Sequence, residues 1–141
     1  MIGRLRALFR GPMPERMDAV PARLPPCPHA GNCVCSEEPE APGHVPPLPA
    51  GSNPHETLAR LADRLAATPR IRIRLQTAEY LHAECESRLF GFVDDLELRL
   101  DAAAGVIHVR SAARLGRHDF GVNRRRVAWL RHLLADRRRS G

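Results

Sequence analysis

No lysine occurs in the 141-residue chain, so all 22 basic residues are arginine. Schiff-base chemistry and a phosphate-binding loop of the Gly-x-x-x-x-Gly-Lys-Ser type are therefore excluded. Aromatic residues make up only 4% of the chain. The basic C-terminal segment has no interleaved exposed aromatics, and the charged strands carry as many acids as arginines, so nucleic-acid binding is not expected. No apolar run approaches the roughly 18 residues that a membrane-spanning helix needs, and the N-terminus lacks the unbroken apolar core of a secretory signal. A cytoplasmic protein is expected. No defensible Ser-His-Asp order occurs, and the length suits one domain with a modest core.

Charge is unevenly placed within a formal net charge of +6. Residues 1–14 carry three arginines and no acid, and residues 101–141 carry ten arginines against three acids. The first ten residues can form a short basic amphipathic helix, with Ile2, Leu5, Leu8 and Phe9 opposite Arg4, Arg6 and Arg10. Such a segment can lie peripherally on an anionic membrane, or it can be a frayed terminus. Residues 1–23 read as a basic, Pro-rich tail. Residues 24–139 read as one domain: an extended Cys/Pro-rich arm over 24–52 and a body over 53–139. The stretch from Pro12 to Pro54 holds most of the 13 prolines and shows no periodicity, so an irregular loop is expected.

From Asn53 the pattern becomes regular. Asn53 can cap, Pro54 suits the first helical position, and Glu56 sits three residues after the cap. Leu58, Leu61 and Leu65 recur at helical spacing until Thr68-Pro69 ends the run. Ile71, Ile73 and Leu75 then alternate with Arg70, Arg72, Arg74 and Gln76, the period of a half-buried strand. After a turn near Thr77, Leu81, Ala83 and Cys85 alternate with Tyr80, His82, Glu84 and Glu86. Phe90, Phe92, Leu96, Leu98 and Leu100 mark a third strand, on whose apolar side Asp94 falls. Either a bulge turns that carboxylate outward, or an arginine or backbone amides meet it. Val106 to Arg110 forms a fourth strand, and a last helix runs from about Val122 toward Arg139 with Val127, Leu130 and Leu134 inward. The expected fold is α+β: a four-stranded antiparallel meander with both helices on one face, a charged face open to solvent, and a long Pro-rich arm in front.

Three motifs carry a resemblance. They are Cys-Pro-x-x-x-Asn-Cys-Val from Cys27, Phe-Gly-Phe-Val-Asp-Asp-Leu-Glu from Phe90, and Val-Arg-Ser-Ala-Ala-Arg-Leu-Gly-x-x-Asp-x-Gly-Val-Asn-Arg-x-Arg from Val109. Over roughly residues 24 to 135 the chain resembles the bacterial and chloroplast family catalogued as domain of unknown function 1499. The resemblance implies no reaction. Family members often follow an N-terminal membrane or lipid-anchoring segment, which this sequence lacks, and Cys35 stands where the family usually has serine.

These motifs bring together Arg88, Asp94, Asp95, Glu97, Arg110, Ser111, Arg114, Asp119, Asn123, Arg124 and Arg126. Read structurally, Asp94 or Asp95 pairs with Arg110 or Arg114, and Asp119 or Asn123 caps the last helix. Read functionally, Gly116 and Gly121 turn backbone amides toward an anion, with Arg114, Arg124 and Arg126 as its clamps. The leading expectation is a small binding or scaffold module that engages an anionic small molecule, a lipid headgroup or an acidic protein segment through this loop. One alternative is an enzyme using Asp94 and Asp95 with Arg110, which requires a bulge to bring the adjacent carboxylates together. Another is a metal or redox module on Cys27, His29, Cys33 and Cys35. No cofactor is expected; zinc is the alternative that such ligands would favour. The irregular spacing and the cytosolic redox poise put free thiols or a labile Cys27–Cys33 bridge ahead of it.

Overall fold

Residues 8–140 are described by a computed structural model, with side chains through residue 136. Leucines at helical spacing build helix α1, Pro54–Ala66, which buries Leu58, Leu61, Ala62 and Leu65. Pro54 occupies its first turn, but the Asn53 side chain makes no capping bond. The Asn53 carbonyl instead accepts the Thr57 amide at 2.9 Å and the Thr57 hydroxyl at 3.1 Å. The four regular strands are β3 (Ile71–Gln76), β4 (Tyr80–Glu86), β5 (Val93–Asp101) and β6 (Val106–Ala113), paired antiparallel in sequence order. Helix α2, Val122–Ser140, closes the chain and packs Val127 and Leu130 inward, with Trp129, Leu133 and Leu134 alongside.

The expected four strands become six among the described residues. The arm supplies β1 (Cys33–Cys35) and β2 (Leu48–Pro49), both antiparallel to the outer edge of β6, giving the order β1-β6-β5-β4-β3. Proline is tolerated in β2 because an edge strand leaves one set of backbone groups unpaired. The segment before it also contains a 3-10 turn, Glu15–Asp18, around buried Met17. Cys27 and Cys33 form a disulfide, while Cys35 and Cys85 are buried free thiols.

Both helices lie on the face that carries Leu81, Ala83, Leu96, Leu98, Leu100, Ile107 and Val109. Each fully buried leucine there contributes roughly 1.5–3 kcal/mol. The opposite face is charged as expected, but it is not open: His82 and Glu97 are 0% exposed and Asp95 is 2% exposed. Chain from the N-terminal segment covers it, because carboxylates on the sheet attract Arg10 and Arg16 from that segment, and Arg23 pairs with Glu37 just after β1. Under this cover Leu24, Cys27, Cys33, Cys35 and Tyr80 form a second, smaller core.

Leu75 joins that second core, against the strict alternation expected of β3. Ile73 lies opposite Ala83 but Leu75 lies opposite His82, so Arg74 is an extra residue and everything after it changes face. Phe90 and Phe92 likewise leave their expected strand. β5 starts at Val93, and the preceding loop is closed by Ser87 and Phe92, whose backbone groups bond at 2.7 Å. The two rings pack edge-on and tilted against Phe9, centroids 6.0 and 4.9 Å away. No helix among the described residues is long and apolar enough to cross a membrane.

Candidate functional site

β5 pairs without a register shift with β4 over Val93–Arg99 and with β6 over Asp94–Asp101, so Asp94 and Asp95 project to opposite faces. No bulge turns Asp94 outward; an arginine meets it. Arg126 on α2 places Nη1 at 2.9 Å from Asp94, 3.0 Å from the Ser111 hydroxyl and 2.7 Å from Asn123 Oδ1. Ser111 in turn donates to Asn123 Oδ1 at 2.6 Å. The Asn123 amide nitrogen donates to Asp119 at 2.7 Å and to the Asn32 carbonyl at 3.3 Å. This cluster ties β6, α2 and the chain entering β1 together. Burial raises the Asp94 carboxyl above its ordinary range, and Arg126 offsets that only in part.

On the covered face Asp95 receives a two-pronged bond from Arg114, Nε to Oδ2 at 2.8 Å and Nη2 to Oδ1 at 2.7 Å. His82 Nε2 reaches Oδ1 at 2.7 Å. Burial disfavours ionisation of Asp95, but these bonds outweigh it and hold the carboxyl below the usual range. Arg114 also pairs with Glu84 at 2.6 Å, so one guanidinium neutralises two buried carboxylates. Glu97 accepts the Tyr80 hydroxyl at 2.7 Å and both prongs of Arg16 at 2.8 and 2.6 Å. Burial first, then the Glu97 charge, pushes the Tyr80 phenol far up. Arg110 lies 3.9 Å from Glu97 and donates through Nε to the Pro25 carbonyl at 2.9 Å. Arg99 grips Glu37 at 2.7 and 2.8 Å, and Glu37 also accepts the Leu24 amide at 2.6 Å. Among the described residues, one buried side-chain nitrogen or oxygen, His82 Nδ1, has no partner.

The expected site therefore divides. Asp94, Ser111, Asp119, Asn123 and Arg126 stand on the helix side, and Asp95, Arg110 and Arg114 on the covered side. Arg88 and Arg124 are at the surface. Asp94, Asp95 and Arg110 do not converge, so the geometry required of the carboxylate pair is absent. Gly121 does adopt the left-handed backbone, but the amides it frees already have an anion: Asp119 accepts Gly121 N–H at 2.8 Å and Asn123 N–H at 3.2 Å. Asp119 is thus the α2 cap, and its carboxyl is held below the ordinary range although burial opposes this. The cysteine alternative loses two thiolates to the Cys27–Cys33 bridge, and among the described residues no group of three or more His, Cys, Asp or Glu is placed to hold a metal ion.

Sequence reasoning missed a surface. Seven of the eight large apolar side chains exposed among the described residues are Leu8, Leu89, Phe90, Phe92, Leu115, Phe120 and Val122, at one end of the sheet; Val20 is the exception. The loops that bear them are neighbours, because the start of β5 pairs with the end of β6 and Arg114 N–H bonds the Val93 carbonyl at 3.1 Å. Exposure reaches 79% at Leu89 and 88% at Phe120. Arg117 and Arg124 are exposed at the same end, where a shallow depression of about 300 Å³ is lined by Gly31, His118, Phe120 and Arg124. Its acids are engaged: Glu86 with Arg10 at 3.0 Å and Asp119 with the helix amides. Apolar residues bunched around glycine and arginine in two connecting segments were the available signal.

A family model described as "Protein of unknown function (DUF1499)" matches residues 23–134. No curated protein and no solved structure matches the chain.

Proposed function

We propose that the chain, which belongs to the DUF1499 family of proteins of unknown function, is a small binding module that meets an anionic partner at the loop end of its sheet. The observation that carries this reading is the gathering of seven exposed apolar side chains at an end where Arg117 and Arg124 are exposed and the acids are spent. Large exposed apolar surface with a polar rim marks interaction sites. Binding is favoured over catalysis because the motif carboxylates are closed into ion pairs on opposite sides of the sheet instead of converging on a cavity. Arg114 and Arg126 are structural in this reading, and the outward work falls to Arg117 and Arg124. The Cys27–Cys33 bridge favours an oxidising setting over the cytosolic one expected from the sequence.

The test is an amide-resonance titration of the labelled protein with monomeric decyl phosphate, a probe with one anionic head and one short apolar tail. Shifts concentrated in residues 87–92 and 115–125 are expected. No shift, or shifts centred on the groove between α1 and α2, would overturn the reading.

A further inference from the structure

The loop end has a third contributor. Phe9 packs edge-on and tilted against Phe90 and Phe92, which also touch each other, and Gly11 runs so close to the β6–α2 loop that a side chain there would meet Leu115 at 3.0 Å. Residues 8–11 therefore cross both loops and weld them into one surface.

We propose that the partner at this end is an anionic lipid bilayer, into which Leu8, Leu89, Phe90 and Phe120 insert while Arg117 and Arg124 contact lipid phosphates. This rests on the reading of the loop end as the binding surface. Three features favour a bilayer over a compact anion. The apolar side chains stand on separate protruding segments, the depression beside them is shallow, and the arginines beside them suit anionic headgroups. Aromatic and leucine side chains at the headgroup boundary with arginine beside them are what an interfacial anchor requires, and one short segment alone binds weakly. The two apolar loops beside Leu8 and Phe9 supply what one short segment lacks by itself.

The experiment is co-sedimentation of the full chain with sucrose-loaded vesicles of phosphatidylcholine, with and without phosphatidylglycerol. Binding to the mixed vesicles and little to phosphatidylcholine alone is expected. The exposed-site variant Leu89→Ser/Phe120→Ser should bind at least tenfold more weakly with an unchanged urea midpoint. Arg117→Gln and Arg124→Gln should each weaken binding about fivefold, the worth of one arginine near an anionic surface. Equal binding to both vesicle types, or binding indifferent to Leu89→Ser/Phe120→Ser, would overturn the inference. If vesicles fail to bind while decyl phosphate still shifts the loop-end resonances, the bilayer falls and the binding module stands. Failure of both removes both. Shifts of the same resonances by polyglutamate without vesicle binding would reassign the surface to an acidic protein.

Discussion

Replacing Arg114 by methionine is expected to cost stability rather than to remove a ligand clamp. The side chains of Arg114, Asp95 and Glu84 are 3%, 3% and 7% exposed, so deletion of the guanidinium leaves Asp95 buried with His82 as its remaining charged or polar partner. Glu84 keeps Arg10 at 3.4 Å and Arg74 at 3.8 Å. Breaking a buried pair on one side costs about 3–5 kcal/mol, and the surviving His82 bond argues for the lower figure. With a urea slope of about 2 kcal/mol/M, a loss of about 3 kcal/mol moves the midpoint down by about 1.5 M. The pH dependence separates this account from a packing defect. In the native protein the folded Asp95 value lies below the unfolded one, so its contribution is complete above the unfolded value, about 3.9, and is lost as pH falls through the folded value. Without Arg114, burial is left to raise the folded value, so the variant is penalised when Asp95 ionises. The gap between the two proteins should therefore widen from pH 3 to pH 7, and adding Asp95→Asn to the variant should restore part of it. Urea unfolding followed by far-UV circular dichroism at those two pH values measures the gap. A loss below about 1 kcal/mol, or a gap indifferent to pH, would refute the reasoning.

Asp119→Ala should cost about 1 kcal/mol through the lost cap, and faster exchange at the Gly121 and Asn123 amides would confirm where. Burial raises the Cys85 thiol to about 11 and also raises Cys35, so neither should react with iodoacetamide at pH 8 until the protein unfolds; rapid labelling of the native state would contradict that. Opening the Cys27–Cys33 bridge, whose cysteines are six residues apart, should cost about 2 kcal/mol by the chain-entropy relation. Limited proteolysis should then cut first in residues 12–24, and a cleavage pattern unchanged by reduction would speak against the bridge as the tether of that segment.

What could be read from the sequence was whatever repeats locally. The leucines of α1, the alternation of β4, β6 and most of β5, and the apolar stripe of α2 each follow from a period that a single segment displays. Asp94 was legible as misplaced, but its partner is on a helix 32 residues later, and no local pattern names Arg126. Leu75 was misassigned because one inserted residue, Arg74, breaks the count without changing composition. The short strands β1 and β2 have too few residues for any period and exist because β6 offers a free edge. The covered face was hidden for a related reason: alternation says which side a residue takes, never what will lie on top of it, and Arg16 reaches Glu97 across 81 residues. Phe90 and Phe92 mimicked a strand because two apolar residues with a glycine between them also alternate.

The back-to-back placement of Asp94 and Asp95 gives β5 one permissible alignment. Sliding the strand by a single residue could carry Asp94 to where Arg114 and His82 wait, but it would then put Asp95 in the place of Leu96, drive Leu96, Leu98 and Leu100 into the charged layer and push Glu97 and Arg99 into the oil. Discrimination comes from the leucines and from the acids together, because only the native alignment lets both carboxylates close on their arginines, one on each side of the partition. A deletion in the loop before Val93 should thus be tolerated far better than one inside the strand.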